Sequence, residues 1–226
     1  MNRALLLDFG GTLAIERSSR ASIYAAAAAR YGVEVSPALM SGLMSETHAS
    51  LPLTIPTAQG PAFRYSRGWF ERFIGIIFAD RLGLSSRDAT LAQEHLFSVY
   101  EDAGTFRLFP GAAELIDRAK TGGWRVGVVS NWSYALEALL GDLGLRPDAV
   151  LCSAVEEAEK PSEVLFLRAL ERLGARAKGS LHVGDSFDND VVGARSVGVE
   201  PVLLERSGPG TRRDVRSVRC LTEIRL

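Results

Sequence analysis

From about Phe109 to Leu204, stretches of helical spacing alternate with short apolar runs, and this alternation leaves the chain few ways to fold. Residues 112–120 follow Pro110-Gly111, carry Ala113, Leu115, Ile116 and Ala119 at helical spacing, and stop at Gly122-Gly123. Residues 125–129 then read as a strand, 134–143 as a helix built on Leu136, Leu139, Leu140 and Leu143, and 149–152 as a short strand. The cycle repeats with a helix over 162–173 capped by Ser162, a strand over 180–183, a helix over 188–197 ending at Gly198, and a strand over 199–204. A turn over 207–213 leads to a last short strand near 218–221. Strands alternating with helices predict a parallel sheet covered on both faces, with the apolar run Ala4 to Leu7 as one more of its strands.

Between Leu13 and about Phe109 nothing reads as a strand. The predicted helices there cover 20–31, with alanine at every position from 25 to 29, then 38–49, 62–82 and 85–100. Residues 51–61 hold Pro52, Pro56, Gly60 and Pro61 and read as a long loop inside an all-helical insertion. The expected division is residues 1–14 with 106–226 as an α/β core and 15–105 as the insertion. A chain of 226 residues, 46% hydrophobic and 23% charged, can fill such a core. Its net charge of -1, with lysine and arginine scattered, gives no field for nucleic acid or an anionic membrane. No apolar run is long enough to span a bilayer and no basic-then-apolar leader is visible, so the cytoplasm is the default location. Cys152 and Cys220 lack metal-ligand spacing and read as two small buried side chains without a disulfide. Oligomeric state is not legible.

Four segments then fall at the carboxyl ends of predicted strands, where open parallel sheets bind ligands. Asp8 is delivered straight into the turn Phe9-Gly10-Gly11-Thr12. Ser130-Asn131 follows the second apolar run, Lys160 lies in the loop after Cys152, and Gly184-Asp185-Ser186-Phe187-Asp188-Asn189-Asp190 follows the third. Asp8, Asp185 and Asp190 would make an oxygen-rich cluster that repels itself unless a cation neutralises it, and Mg2+ suits such ligands. Asp188 is the alternative to Asp190 as the second acid, though it also reads as a charge at a helix N-terminus. Backbone N–H groups of the turn Gly10-Gly11-Thr12, with the side chains of Ser130 and Asn131, would hold phosphate oxygens. Lys160 would stabilise charge on a transferring phosphoryl group while Asp8 attacks phosphorus.

In order and placement these segments resemble the motifs of the haloacid dehalogenase (HAD) superfamily across nearly the whole chain. The resemblance implies a Rossmann-like, doubly wound core, a helical cap inserted after the first strand, and a Mg2+-dependent phosphatase acting on a small phosphorylated substrate. Asp8, Ser130 and Lys160 take the catalytic positions. Gly11, Thr12, Ser130, Asn131 and Lys160 take the phosphate, and Asp8, Gly10, Asp185 and Asp190 take the metal. Gly10 departs from the pattern, since the family's second aspartate stands there as general acid and base and glycine keeps only the backbone carbonyl. Two other readings stay open: a 2-haloacid dehalogenase, in which Asp8 attacks carbon without metal, and a weakened phosphate-binding or regulatory protein. His48, His95 and His182 show no zinc spacing and read as ordinary residues. Arg17, Arg20, Arg64, Arg67 and Trp69 are candidates for facing a substrate from the insertion.

Overall fold

The computed structural model describes residues 2–206 and 214–226. The turn expected over 207–213 lies outside them. Two compact units emerge, Met1–Ile15 with Arg107–Leu226, and Glu16–Phe106.

Strand β1 (Ala4–Leu7) is wholly buried, as an apolar run with neighbours on both sides must be, and the chain leaves the first unit through β2 (Ala14–Glu16). The second unit opens with α1 (Arg20–Ala29) and α2 (Pro37–Ser50), each begun by a serine whose hydroxyl accepts a backbone N–H: Ser19 from Ser22, and Ser36 from Leu39. The 51–61 segment, expected as loop, instead forms half of an antiparallel hairpin of β3 (Thr54–Thr57) and β4 (Gly60–Phe63). The insertion is therefore not all-helical. Pro56 faces Pro61 across the ribbon, a pairing open to proline because a two-stranded ribbon leaves one side of each strand without ladder bonds. Gly60, at φ 118°, makes the turn, and its carbonyl accepts from the Thr57 hydroxyl at 2.7 Å.

The helix expected over 62–82 consequently starts later, as α3 (Arg67–Gly75), and widens into a π-helical turn over Ile76–Arg81. Helix α4 (Ser86–Glu101) completes the unit, and β5 (Phe106–Leu108), paired with β2, carries the chain back. The core of this unit gathers Tyr24, Met40, Trp69, Phe73, Ile77, Phe78 and Leu96. Trp69 is fully buried, stacked on Phe73 at 5.4 Å, with its indole N–H donating to the Pro52 carbonyl at 3.0 Å. It is a packing residue, not one that faces a ligand.

The rest of the first unit runs α5 (Ala112–Thr121), β6 (Arg125–Ser130), α6 (Leu136–Asp142), β7 (Ala149–Cys152), the short α7 (Ser153–Glu156), α8 (Glu163–Arg172), β8 (Leu181–Gly184), a π-helical turn over Phe187–Val191, α9 (Val192–Ser196), β9 (Glu200–Leu204) and β10 (Arg216–Val218). The last strand therefore precedes its expected place. Six parallel strands form one sheet in the order β10-β9-β8-β1-β6-β7, an α/β Rossmann-like fold. Helix α8 buries Leu165, Phe166, Ala169 and Leu170 in a cluster with Leu6, Val129 and Leu151 of the strands. Chain order runs from β1 outward to β7 on one side and resumes at β8 on the other, so a crevice opens at the carboxyl ends beside β1. Cys152 is buried but Cys220 is half-buried, and both are free thiols. Among the described residues no helix is long and apolar enough to cross a membrane.

Candidate active site

Asp8 stands one residue past β1, and its N–H makes a last sheet-like bond to the Val183 carbonyl at 2.9 Å. The chain then turns back, with Leu13 N–H on the Phe9 carbonyl at 2.9 Å and Gly11 at φ 80°. Glycine is required at position 11 for a second reason: an added Cβ would lie 2.3 Å from Oδ2 of Asp185. Gly184 permits a similar approach, since its Cβ would fall 2.1 Å from Cγ of Asp190.

Three strand ends and one loop thus converge. Lys160 is only 3% exposed and its ammonium bridges two buried carboxylates, donating to Oδ1 of Asp8 at 2.7 Å and to Oδ1 of Asp190 at 2.6 Å. The Ser130 hydroxyl, at the end of β6, donates to the same Oδ1 of Asp8 at 2.8 Å. Nothing among the described residues donates to Oδ2 of Asp8. Asp185 is the exposed member, with the Thr12 hydroxyl 3.5 Å from its Oδ1, and carboxylate oxygens of Asp8, Asp185 and Asp190 lie within 4.8 Å of one another. Asp190 turns inward from the π-helical turn, whereas Asp188 is exposed.

Charge balance follows from this packing. Burial lifts the Asp8 carboxyl and Asp190 adds to the lift, against Lys160 and Ser130, which favour its ionised form. Burial would likewise lift Asp190, yet Lys160 and His182 outweigh it and hold that carboxyl well below the usual range. Burial opposes the Lys160 charge, but the two carboxylates hold the ammonium above its ordinary value. Asp185 is pushed up to about 6, first by the wall it lies against and then by Asp8 and Asp190. One ammonium stands among three carboxylates, and the Arg206 guanidinium lies near enough to Asp185 for the two charges to attract.

Several partners were not legible as such in the sequence. Both ends of the Asn131 amide hold the backbone of Lys160, Oδ1 accepting its N–H at 2.7 Å and Nδ2 donating to its carbonyl at 3.2 Å. His182, fully buried in β8, places Nε2 2.9 Å from Oδ1 of Asp190; an ionised carboxylate only accepts, so Nε2 carries the proton. Arg206, just past β9, donates to the carbonyls of Gly11 and Thr12 and lies over the Phe109 ring at 3.4 Å. Trp132 sits edge-on to Phe9 at 4.9 Å and closes over Gly10. The available signals were weak: a polar residue at a strand end for Arg206, and adjacency to Ser130-Asn131 for Trp132. In the second unit Arg17 donates to the Gly104 carbonyl, Arg20 pairs with Glu16, Arg64 donates to the Leu51 carbonyl and Arg67 pairs with Glu71.

A family model described as haloacid dehalogenase-like hydrolase matches residues 2–198. The chain belongs to that family. Among its HAD relatives, the human haloacid dehalogenase-like hydrolase domain-containing protein 3 is 28% identical over 205 residues, covering 89% of this chain and 81% of that protein. A ribulose-1,5-bisphosphate 5-phosphatase of Halopiger xanaduensis is 36% identical over 103 residues, 44% of this chain and 43% of its own. The crystal structure of a HAD phosphatase from Thermococcus onnurineus superposes with a TM-score of 0.69 at 24% identity, covering 98% of this chain and 95% of that one, and so shares the fold. This HAD chain is therefore a hydrolase with phosphatases among its relatives.

Proposed function

We propose that the protein is a Mg2+-dependent phosphatase that removes phosphate from a small phosphorylated metabolite through an aspartyl-phosphate on Asp8. The observation carrying this reading is the Lys160 ammonium, buried between Asp8 and Asp190 while a third carboxylate, Asp185, stands beside them at the mouth. Three carboxylates with one ammonium leave room in the charge balance for a divalent cation, and the Asp185 carboxyl, raised first by burial, is raised further by repulsion from Asp8 and Asp190 that such an ion would relieve. Asp8, the Gly10 carbonyl and Asp185 would hold it. Asp190 also belongs to the set expected from sequence, but its two oxygens already accept from Lys160, His182 and the Ser186 N–H, so we assign it to holding Lys160. Bound there, Mg2+ would supply charge against the phosphoryl oxygens.

The chain's own groups divide the remaining work. Asp8 forms the bond to phosphorus, Ser130 and Lys160 fix its Oδ1, and Lys160 offsets charge on the phosphoryl group in transfer. Asn131 keeps the Lys160 backbone in register with both ends of its amide, and the Gly11 and Thr12 N–H groups, expected from sequence to hold phosphate, donate instead to the Ala14 and Phe9 carbonyls at 2.8 and 3.3 Å. The negative Asp185 beside the nucleophile supports a cation-assisted phosphoryl reaction over metal-free attack on carbon.

The test is phosphate release from a panel of small phosphomonoesters with and without Mg2+, for the parent protein and Asp8→Asn. Release that needs Mg2+ and disappears in the variant, with radiolabel trapped on the parent after acid quench, is the expected result. Chloride release from 2-haloacids with no phosphate release would replace this reading.

A further inference from the structure

Breaking a P–O bond leaves an electron pair on the departing oxygen, which an acid in the site must protonate unless the oxygen is stable bare. The proton-bearing side chains that bond Asp8 and its neighbouring acids are already committed. Lys160 donates to Asp8 and Asp190, Ser130 donates to Asp8, and the Thr12 hydroxyl is turned to Asp185. His182 is sealed behind Asp190, and Arg206 holds two backbone carbonyls. Asp190 accepts from three donors, and Asp185 serves the cation in the reading above.

The position two residues beyond Asp8 offers no side chain, and the space beside it is filled. A Cβ on Gly10 would lie 3.0 Å from Cζ3 of Trp132, with Cε3 and Cη2 at 3.7 and 3.8 Å. The indole is held in place: it packs edge-on to Phe9, its backbone N–H donates to the Ser153 hydroxyl at 3.1 Å, and its carbonyl accepts from Ala154 N–H at 3.2 Å. An aromatic carbon edge thus crowds the Cβ of any side chain carried by residue 10, and an indole has no proton acidic enough to replace a carboxyl.

We propose, resting on the phosphatase reading, that this site is built for substrates whose leaving group departs without a proton: acyl phosphates, phosphoanhydrides, and aryl or enol phosphates rather than alkyl phosphates. Asp8 Oδ bonds to phosphorus as the bond to the leaving oxygen breaks, and the electron pair goes out on that oxygen as a carboxylate, phosphate, phenoxide or enolate. Water then attacks the phosphorus of the aspartyl-phosphate, Asp8 returns as a carboxylate needing no proton, and both protons of the water stay with the phosphate released.

The test compares para-nitrophenyl, phenyl and benzyl phosphate with Mg2+, three esters of similar size that release nitrophenoxide, phenoxide and an alkoxide. kcat/KM reads the leaving-group step, and it is expected to fall by about 10²- to 10⁴-fold from para-nitrophenyl to benzyl phosphate, the usual contribution of a positioned acid. The double variant Gly10→Asp with Trp132→Ala, which opens the flank and supplies a carboxyl, should flatten that fall by raising the benzyl rate. Equal kcat/KM on the three esters in the parent protein overturns the inference while leaving the phosphatase intact. Turnover of none of them removes the phosphatase reading and this inference with it.

Discussion

At the residue scale, Asp185 ties stability to pH in a direction opposite to most carboxylates. Its carboxyl titrates near 3.8 when unperturbed and is pushed up to about 6 in the folded chain. Across that window the folded protein holds a proton that the unfolded chain has released, so this group's contribution to stability falls as pH rises from about 4 to about 6. Asp190 has the reverse sign, since its depressed carboxyl stabilises the fold above the ordinary carboxylate range and loses that effect only in strong acid. Melting temperatures without divalent cation should therefore show Asp185→Asn gaining on the parent as pH climbs through that window, with the gain levelling off above it. Mg2+ should erase the difference by stabilising the parent alone. Asp8 and Ser130 were legible because each is a polar residue at the end of an apolar run, whereas Lys160 and Asp190 lie farther along their loops and were legible only from their order in the set. The partners of His182, Asn131 and Trp132 were not, because they are set by close approaches of a side chain to a glycine backbone or by contacts across the fold: Asp190 against Gly184, Trp132 against Gly10, and Asn131 on the backbone of Lys160.

At the element scale, the loop after β1 is held from outside itself. Arg206 reaches from the end of β9 to the carbonyls of Gly11 and Thr12 and covers Phe109, so the turn that carries Asp8 is fixed by a residue almost two hundred positions away. Removing that guanidinium leaves the carbonyls to water and loses the ring contact. Arg206→Ala should cost about 1–3 kcal/mol in urea unfolding, the range for charged hydrogen bonds plus a half-exposed cation–aromatic contact. The strand-helix alternation after Phe109 was legible because both periodicities are strong there. The 54–63 hairpin was not, since two prolines and a glycine turn read as loop, and only the facing register of Pro56 and Pro61 makes them compatible with a ribbon. The same hairpin delays α3, whose true start is Ser66, a cap whose hydroxyl accepts from the Trp69 N–H.

At the scale of the molecule, each unit closes on its own ends. In the first, Phe109 N–H donates to the Leu13 carbonyl at 2.9 Å; in the second, Arg17 N–H donates to the Thr105 carbonyl at 2.9 Å. With a separate aromatic core in Glu16–Phe106, that segment expressed alone should show a cooperative thermal transition and helical circular dichroism. A non-cooperative melt would mean that it depends on the rest of the chain. The sheet order has a different consequence, for synthesis. Strand β1 is central, between β6 and β8, and β8 is made more than 170 residues after it. On the ribosome, Ala-Leu-Leu-Leu therefore has no sheet neighbour until β6 is made and only one until β8 follows, which leaves a sticky strand of the kind that holdase chaperones grip. Ribosomes stalled before residue 181 should carry nascent chains rich in bound chaperone, freed once the eighth strand emerges.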